Sequence, residues 1–275
     1  MGPDNRSPVR TLLLYSPLTY AFSWTCWGLR TVLPDTAAVA GTVLFVLGSI
    51  GPFVVGGILT YTVGQSVRSW LSGIFRVRLP IRYYVVALVL PVAVVLVAGS
   101  VHAYVFGGEL TLEALPASVE YPLFLGFVVL FGGGLEEPGW RGYLLPRLQK
   151  QYTALGAALV IGVVWAGWHL PLFVLPNTIQ NGMPLWLYVA QLIAMSVVLT
   201  WLTNTVRGSV VPAILLHAGG NAMLNYYPTG GVSGAVSPLG LGLLVAALTI
   251  VALALVSWYG PKRLVPGDDE ATVKL

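Results

Sequence analysis

The chain has 275 residues, of which 56% are hydrophobic and 9% are charged, and its net charge is +4. Soluble domains average about 25% charged residues, so this composition excludes an ordinary soluble protein and indicates a polytopic membrane protein. The pI of about 9.2 is explained by basic residues beside membrane segments and does not indicate nucleic-acid binding. The single cysteine, Cys26, excludes an intrachain disulfide and a cysteine-based metal site.

Eight apolar segments are long enough to cross a bilayer, which predicts an all-α fold and a single integral membrane domain over residues 1–275. Length and flanking charge define these segments better than periodicity, because buried membrane helices are apolar on most faces. In chain order, the predicted spans are 11–33, 39–64, 81–106, 121–147, 154–176, 184–205, 209–227 and 237–259.

The distribution of basic residues predicts that both termini lie in the cytoplasm. With the N-terminus placed inside, Arg30 alone falls on the outer side and Arg141 falls within the fourth span. This asymmetry fits the positive-inside rule and an even number of spans. The inner side then receives the other 12 basic residues: Arg6, Arg10, Arg68, Arg76, Arg78, Arg82, Arg147, Lys150, Arg207, Lys262, Arg263 and Lys274.

Two adjacent carboxylates, Glu136 and Glu137, lie inside the fourth predicted span. Charged groups at membrane depth are costly, so they indicate a functional site by default. Glu137 and Arg141 are four residues apart and can pair on one helix face, whereas Glu136 points about 100° away and has no partner on its own helix. A buried carboxylate of this kind suits general-base chemistry. The alternative is a purely structural ion network.

The same span predicts an interrupted helix. The run Gly132-Gly133-Gly134 allows another backbone to approach closely, and Pro138 with Gly139 predicts a kink just after the carboxylates. Irregular backbone at membrane depth is tolerated only beside protein or a water-filled cavity. The sequence therefore predicts that the two glutamates lie beside protein or a water-filled cavity.

The fifth and seventh predicted spans each carry a histidine, His169 and His217. Trp165 lies four residues before His169, so its indole can pack beside the imidazole. His217 and Asn221 are also four residues apart, which sets two polar side chains on one face. A lone membrane histidine often only bonds across helices, but three spans that each contribute such groups indicate a shared site.

Three short motifs follow one another within residues 120–228, and they are Glu136-Glu137-x-x-x-Arg141, Trp165-x-x-x-His169 and His217-x-x-x-Asn221. Together they resemble the CPBP family, the CAAX prenyl-protease-like and bacteriocin-processing intramembrane proteases that are also called the Abi family. The strings around Glu136 and His169 are similar to those of prokaryotic members. One departure is visible, because the second motif is often written with Phe at the position of Trp165.

The resemblance implies an eight-helix core around a conical cavity that opens towards the cytoplasm. It implies that Glu136 and His169 activate a water molecule for attack on a peptide carbonyl. It also implies that His217 and Asn221 stabilise the resulting oxyanion, a donor role that both side chain types can fill.

Glu137 and Arg141 are then expected to support the site by orienting the catalytic carboxylate. The resemblance leaves the role of a metal open. Glu136, His169 and His217 are acceptable zinc ligands, and a catalytic zinc keeps one position for water. The same three groups also suit a metal-free glutamate mechanism.

The predicted function is therefore that of an intramembrane endopeptidase acting near the cytoplasmic face of a prokaryotic plasma membrane. Its expected partners are a peptide or protein substrate, membrane-anchored substrates included, and the lipid bilayer, with no nucleic acid. One alternative is a non-catalytic membrane scaffold of the same fold. Another is a proton-coupled transporter with Glu136 and the histidines as a relay, although transporters typically show two related halves with matched broken helices.

Overall fold

A computed structural model describes residues 7–265, and within this range the secondary structure is helical without any strand. The predicted all-α class is thereby confirmed. Arg6 and Lys274, which the topology prediction places in the cytoplasm, lie outside the described residues. The helices are α1 (Pro8–Thr31), α2 (Ala38–Ser49), α3 (Gly51–Thr62), α4 (Val67–Ile74), α5 (Ile81–Phe106), α6 (Tyr121–Phe131), α7 (Glu137–Gly139), α8 (Leu145–Leu148), α9 (Ala154–Trp168), α10 (Leu185–Thr205), α11 (Val211–Met223), α12 (Gly231–Val236) and α13 (Pro238–Tyr259).

Four helical segments of the described chain are long and apolar enough to cross a membrane, and the bent pair α2–α3 makes a fifth if it forms one span. Its two helices meet at an angle of 56°. Each of the eight predicted spans contains helix, but α9 and α11 have only 15 and 13 residues. The prediction of a membrane protein is supported, and the count of eight spans stays a prediction. The four segments are Ile81–Phe106, Ser118–Leu148, Leu185–Thr205 and Pro238–Tyr259.

The fourth predicted span is a series of short helices. After α6 the chain passes through Gly133 with φ of +119°, a conformation that residues with a side chain rarely adopt. A 3₁₀ turn over Gly134–Glu136, then α7 and a π-helix over Trp140–Leu144 continue the chain to α8. The interruption thus precedes the carboxylates. Pro138, where the sequence predicted a kink, instead occupies the first turn of α7, where proline is tolerated.

The irregular segment is held from outside by α1, α3 and α4. The Tyr15 hydroxyl of α1 donates to the Pro52 carbonyl at 3.0 Å, and a Cβ on Gly139 would clash with both residues. On the other side, the indole of Trp70 in α4 donates to the Gly142 carbonyl at 2.9 Å. These contacts give the π-helix a protein environment, as irregular backbone in a membrane requires.

Helices α9, α10 and α11 complete the surroundings of the irregular segment. α10 packs along α9 and α13, while α11 packs against α5 and α6. Gly162 allows α9 to approach α10 closely, because a Cβ there would lie 2.8 Å from the Ile193 Cα. Ser196 of α10 also donates to the Ala158 carbonyl at 2.7 Å. α11 also packs against the 3₁₀ turn over Gly134–Glu136, and α9 packs against α8.

Candidate functional site

Three parts of the chain bring the predicted site residues together. The 3₁₀ turn and α7 carry Glu136 and Glu137, His169 directly follows α9, and α11 carries His217 and Asn221. Both glutamates and both histidines are buried, whereas Asn221 is exposed. Buried polar groups need partners, so the hydrogen bonds of these residues define what each can do.

Glu137, Arg141 and His217 form a buried network. Arg141, on the π-helix, donates from Nη1 to Glu137 Oε1 at 3.2 Å, and the same nitrogen lies 3.1 Å from Oε2. His217 Nδ1 lies 2.8 Å from Glu137 Oε1. A carboxylate paired with arginine only accepts hydrogen bonds, so Nδ1 carries the hydrogen and Nε2 faces the remainder of the site.

The pairing of Glu137 with Arg141 is present as the spacing predicted. The expectation that this pair orients Glu136 stays a prediction. In the structure, Glu137 also contacts His217. The side chains of the two adjacent glutamates therefore contact different partners, because they point in different directions from a short helical turn.

Trp165 joins the other two predicted residues, Glu136 and His169. Its indole Nε1 donates to Glu136 Oε2 at 2.6 Å, and its backbone oxygen lies 2.9 Å from His169 Nδ1. A carbonyl oxygen only accepts, so Nδ1 of His169 carries a hydrogen, and Nε2 of the neutral ring is an acceptor. The indole also contacts Arg141, whose Cζ lies 4.8 Å from the ring centroid, and His217, whose ring centroid lies 5.1 Å away.

His217 and Asn221 lie close together over Gly133. The Asn221 amide donates from Nδ2 to the Gly132 carbonyl at 2.9 Å, and an amide nitrogen has a second hydrogen to offer. A Cβ on Gly133 would lie 2.8 Å from His217 Nε2 and 3.0 Å from Asn221 Nδ2. The absence of a side chain at Gly133 thus lets both nitrogens approach the backbone closely.

A small apolar groove, with a cavity volume of about 40 Å³, has Asn221 among its lining residues. Its walls come from α5, α10, α11 and α13, and Gln191 is the other polar residue among those lining it. Apolar pockets with a few polar groups at one end are typical of sites that bind an apolar ligand portion. The apolar wall includes Pro91, Val95, Met195, Leu216, Leu244 and Leu248.

The predicted zinc ligands do not form a ready metal centre. Glu136, His169 and His217 have the donor chemistry that zinc prefers. Within residues 7–265, however, no three His, Cys, Asp or Glu side chains are arranged to hold one ion. A zinc site at these residues stays a prediction of the motifs, and the chemistry considered below uses the chain's own groups.

Sequence reasoning placed Trp165 beside His169 but did not identify its bond to Glu136. The tryptophan in place of the usual Phe in the second motif could have indicated this hydrogen bond. An indole has an N–H donor, whereas a phenyl ring has none. The role of Gly133 was also missed, since a run of three glycines indicates close approach without showing which backbone or side chain approaches.

Two comparisons with known proteins agree with the motif analysis. Residues 118–223 match the family described as Type II CAAX prenyl endopeptidase Rce1-like, and all six predicted site residues lie within that range. A protein of Methanococcus maripaludis named CAAX prenyl protease 2 is 23% identical over 223 residues, which cover 74% of this chain and 80% of that protein. These matches confirm the resemblance to the CPBP family that the three motifs predicted.

Proposed function

The chain is related to the CPBP-family proteases, and on that premise we propose that it is an intramembrane endopeptidase whose reacting groups are Glu136, His169, His217 and Asn221. The observation that supports this most directly is the convergence of a buried carboxylate, two buried histidines and the Asn221 amide, with His217 Nε2 and Asn221 Nδ2 both close to Gly133.

The geometry supports different roles for the two histidines. Nδ1 of His169 donates to the Trp165 carbonyl, so its Nε2 can accept a hydrogen bond from the attacking water. Glu136 then takes one proton from this water and returns it to the leaving amine. His217 can donate from Nε2 only as an imidazolium, because its Nδ1–H is directed at Glu137. With the second amide hydrogen of Asn221, this donor would stabilise an oxyanion held over Gly133.

We propose a lipid-attached peptide as the substrate class. Asn221 lines the apolar groove, so an aliphatic or isoprenoid group bound at this groove would place the attached peptide beside Asn221. The relative named CAAX prenyl protease 2 suggests peptides that end in Cys, two aliphatic residues and a variable residue. Cleavage near the cytoplasmic face is proposed from the distribution of Lys and Arg.

The test is cleavage of quenched fluorescent peptides with this C-terminal pattern, farnesylated or unmodified, by the purified protein in liposomes. Wild type is expected to cleave the farnesylated peptide faster, and His169→Ala is expected to cleave neither peptide. His102→Ala is the matched control, because this histidine bonds Tyr227 and Thr229 near the end of α5. Unchanged cleavage by His169→Ala, or absence of cleavage by wild type, would contradict the proposal.

Zinc dependence stays a prediction of the motifs, and the same assay tests it directly. If zinc takes part, a chelator abolishes cleavage and added zinc restores it, because the ion would supply a polarised water. Cleavage that is indifferent to the chelator indicates the glutamate mechanism. As a control for slow loss of an ion, cleavage is compared between wild-type protein stored with chelator and wild-type protein stored without it.

Gly133→Ala is expected to lower kcat about 100-fold. The new Cβ would lie 2.8 Å from His217 Nε2, and a displacement of the reacting groups by about 1 Å costs about 10²-fold in rate. The control is Gly64→Ala, because Gly64 also has positive φ, +73°, but its Cβ would meet nothing within 4 Å. Equal rates for the two variants would show that the close approach of His217 and Asn221 to Gly133 is not needed for cleavage.

A further inference from the structure

Position 165 holds a tryptophan where the family motif is often written with phenylalanine. Its indole Nε1 lies 2.6 Å from Glu136 Oε2, and the side chain is 1% exposed. Hydrogen bonds to a carboxylate are short and strong when water is excluded. We propose that Trp165 is a positioning residue that holds Oε2 of Glu136 through its indole N–H, so that the second carboxylate oxygen faces the reacting water. This inference rests on the proposed function.

Glu136 needs such a partner because of where it lies in the chain. It ends a 3₁₀ turn that follows the break at Gly133, so regular helix does not hold its backbone on the N-terminal side. A glutamate side chain also loses considerable rotamer freedom when it is fixed. A bond at the carboxylate itself restricts the torsions that lead to it and preorganises the base.

The direction of the indole N–H is itself constrained. Arg141 lies over the ring with its Cζ 4.8 Å from the centroid. The His217 ring meets the indole edge to face, with centroids 5.1 Å apart and an angle of 76°. The backbone oxygen of Trp165 accepts from His169 at the same time. One residue thus orients both Glu136 and His169, the two groups assigned to the attacking water.

A role in packing alone is the competing explanation, because a buried indole also fills volume. Phenylalanine at this position removes the donor and part of the volume. The analogue 3-benzothienylalanine keeps the fused ring and carries sulfur in place of N–H, so it removes the donor alone. Comparison of the two substitutions therefore separates the hydrogen bond from the packing.

The experiment measures kcat and KM for the farnesylated peptide with Trp165→Phe and with 3-benzothienylalanine at position 165. Both are expected to lower kcat by about 10- to 100-fold, the range found when a partner that orients a reacting group is removed. KM is expected to stay within about twofold, because substrate binding to the groove is untouched. The matched control is Trp201→Phe, since Trp201 is buried in α10 and its indole nitrogen has no hydrogen-bond partner within the described residues.

Two results would overturn the proposal. In the first, both variants keep the wild-type kcat. In the second, the variant with 3-benzothienylalanine keeps the wild-type kcat and only Trp165→Phe lowers it. A second readout does not depend on activity. The indole ¹⁵N–¹H resonance of Trp165, assigned by its disappearance in Trp165→Phe, is expected to shift when Glu136→Ala removes the acceptor. No shift would also overturn the proposal. If wild type cleaves no peptide while the resonance shifts, the proposed function fails and the assigned hydrogen bond stands.

Discussion

Glu136→Gln is expected to lower kcat by about 10²–10⁴-fold, the usual contribution of a general base. The amide cannot take a proton from water, but it is nearly isosteric and keeps an oxygen that can accept from Trp165 Nε1. The fold should therefore be preserved, and the thermal midpoint in detergent should stay close to that of wild type. The measurement is cleavage of the farnesylated peptide under saturating conditions.

The control for this substitution is Glu109→Gln, which makes the same chemical change at an exposed carboxylate in the loop after α5. It should leave kcat unchanged. A Glu136→Gln protein that is folded and cleaves at the wild-type rate would show that Glu136 belongs to a structural network, which is the alternative the sequence left open. A loss of rate together with a large loss of stability would point in the same direction.

Arg141→Leu is expected to destabilise the protein by about 3–5 kcal/mol, the cost of leaving one partner of a buried ion pair without the other. Glu137 is fully buried and Arg141 is 1% exposed, so solvent cannot compensate for the lost charge. Arg141 also contributes its contact with the Trp165 ring. The free energy of unfolding in mixed micelles measures this effect, and Arg141→Lys should recover only part of it because lysine lacks the planar fork.

The double variant Glu137→Leu with Arg141→Leu distinguishes an effect on the free energy of unfolding from an effect on the rate of cleavage. Replacing a whole buried ion pair by apolar residues is often neutral or stabilising, so we expect much of the lost stability to return. Activity should not return, because His217 Nδ1 has then lost the oxygen that orients it. Recovery of wild-type kcat in the double variant would show that the Glu137–His217 bond is dispensable.

Glu136→Gln and Arg141→Leu address two different parts of the candidate site. Glu136 and His169 meet at Trp165, whereas Glu137 and Arg141 meet His217. Under the proposed function, the first glutamate acts on water and the second orients a histidine.

The amino-acid sequence by itself predicted the class of the protein and the residues of the candidate site. Composition excluded a soluble domain, and the apolar segments predicted helices that the structure contains. Spacing of four residues predicted the Glu137–Arg141 pair and set His217 and Asn221 on one helix face. These features are local, because they depend only on helix geometry over a single turn.

The tertiary structure alone decided which groups face each other across helices. Helix rotation and depth are set by close packing, as where Gly162 meets α10, and no local pattern encodes them. That packing directs Glu137 to His217 and Trp165 to Glu136, and it places the apolar groove at Asn221. It also decided that the fourth segment breaks at Gly133, since glycine permits a backbone with φ of +119° but does not dictate it.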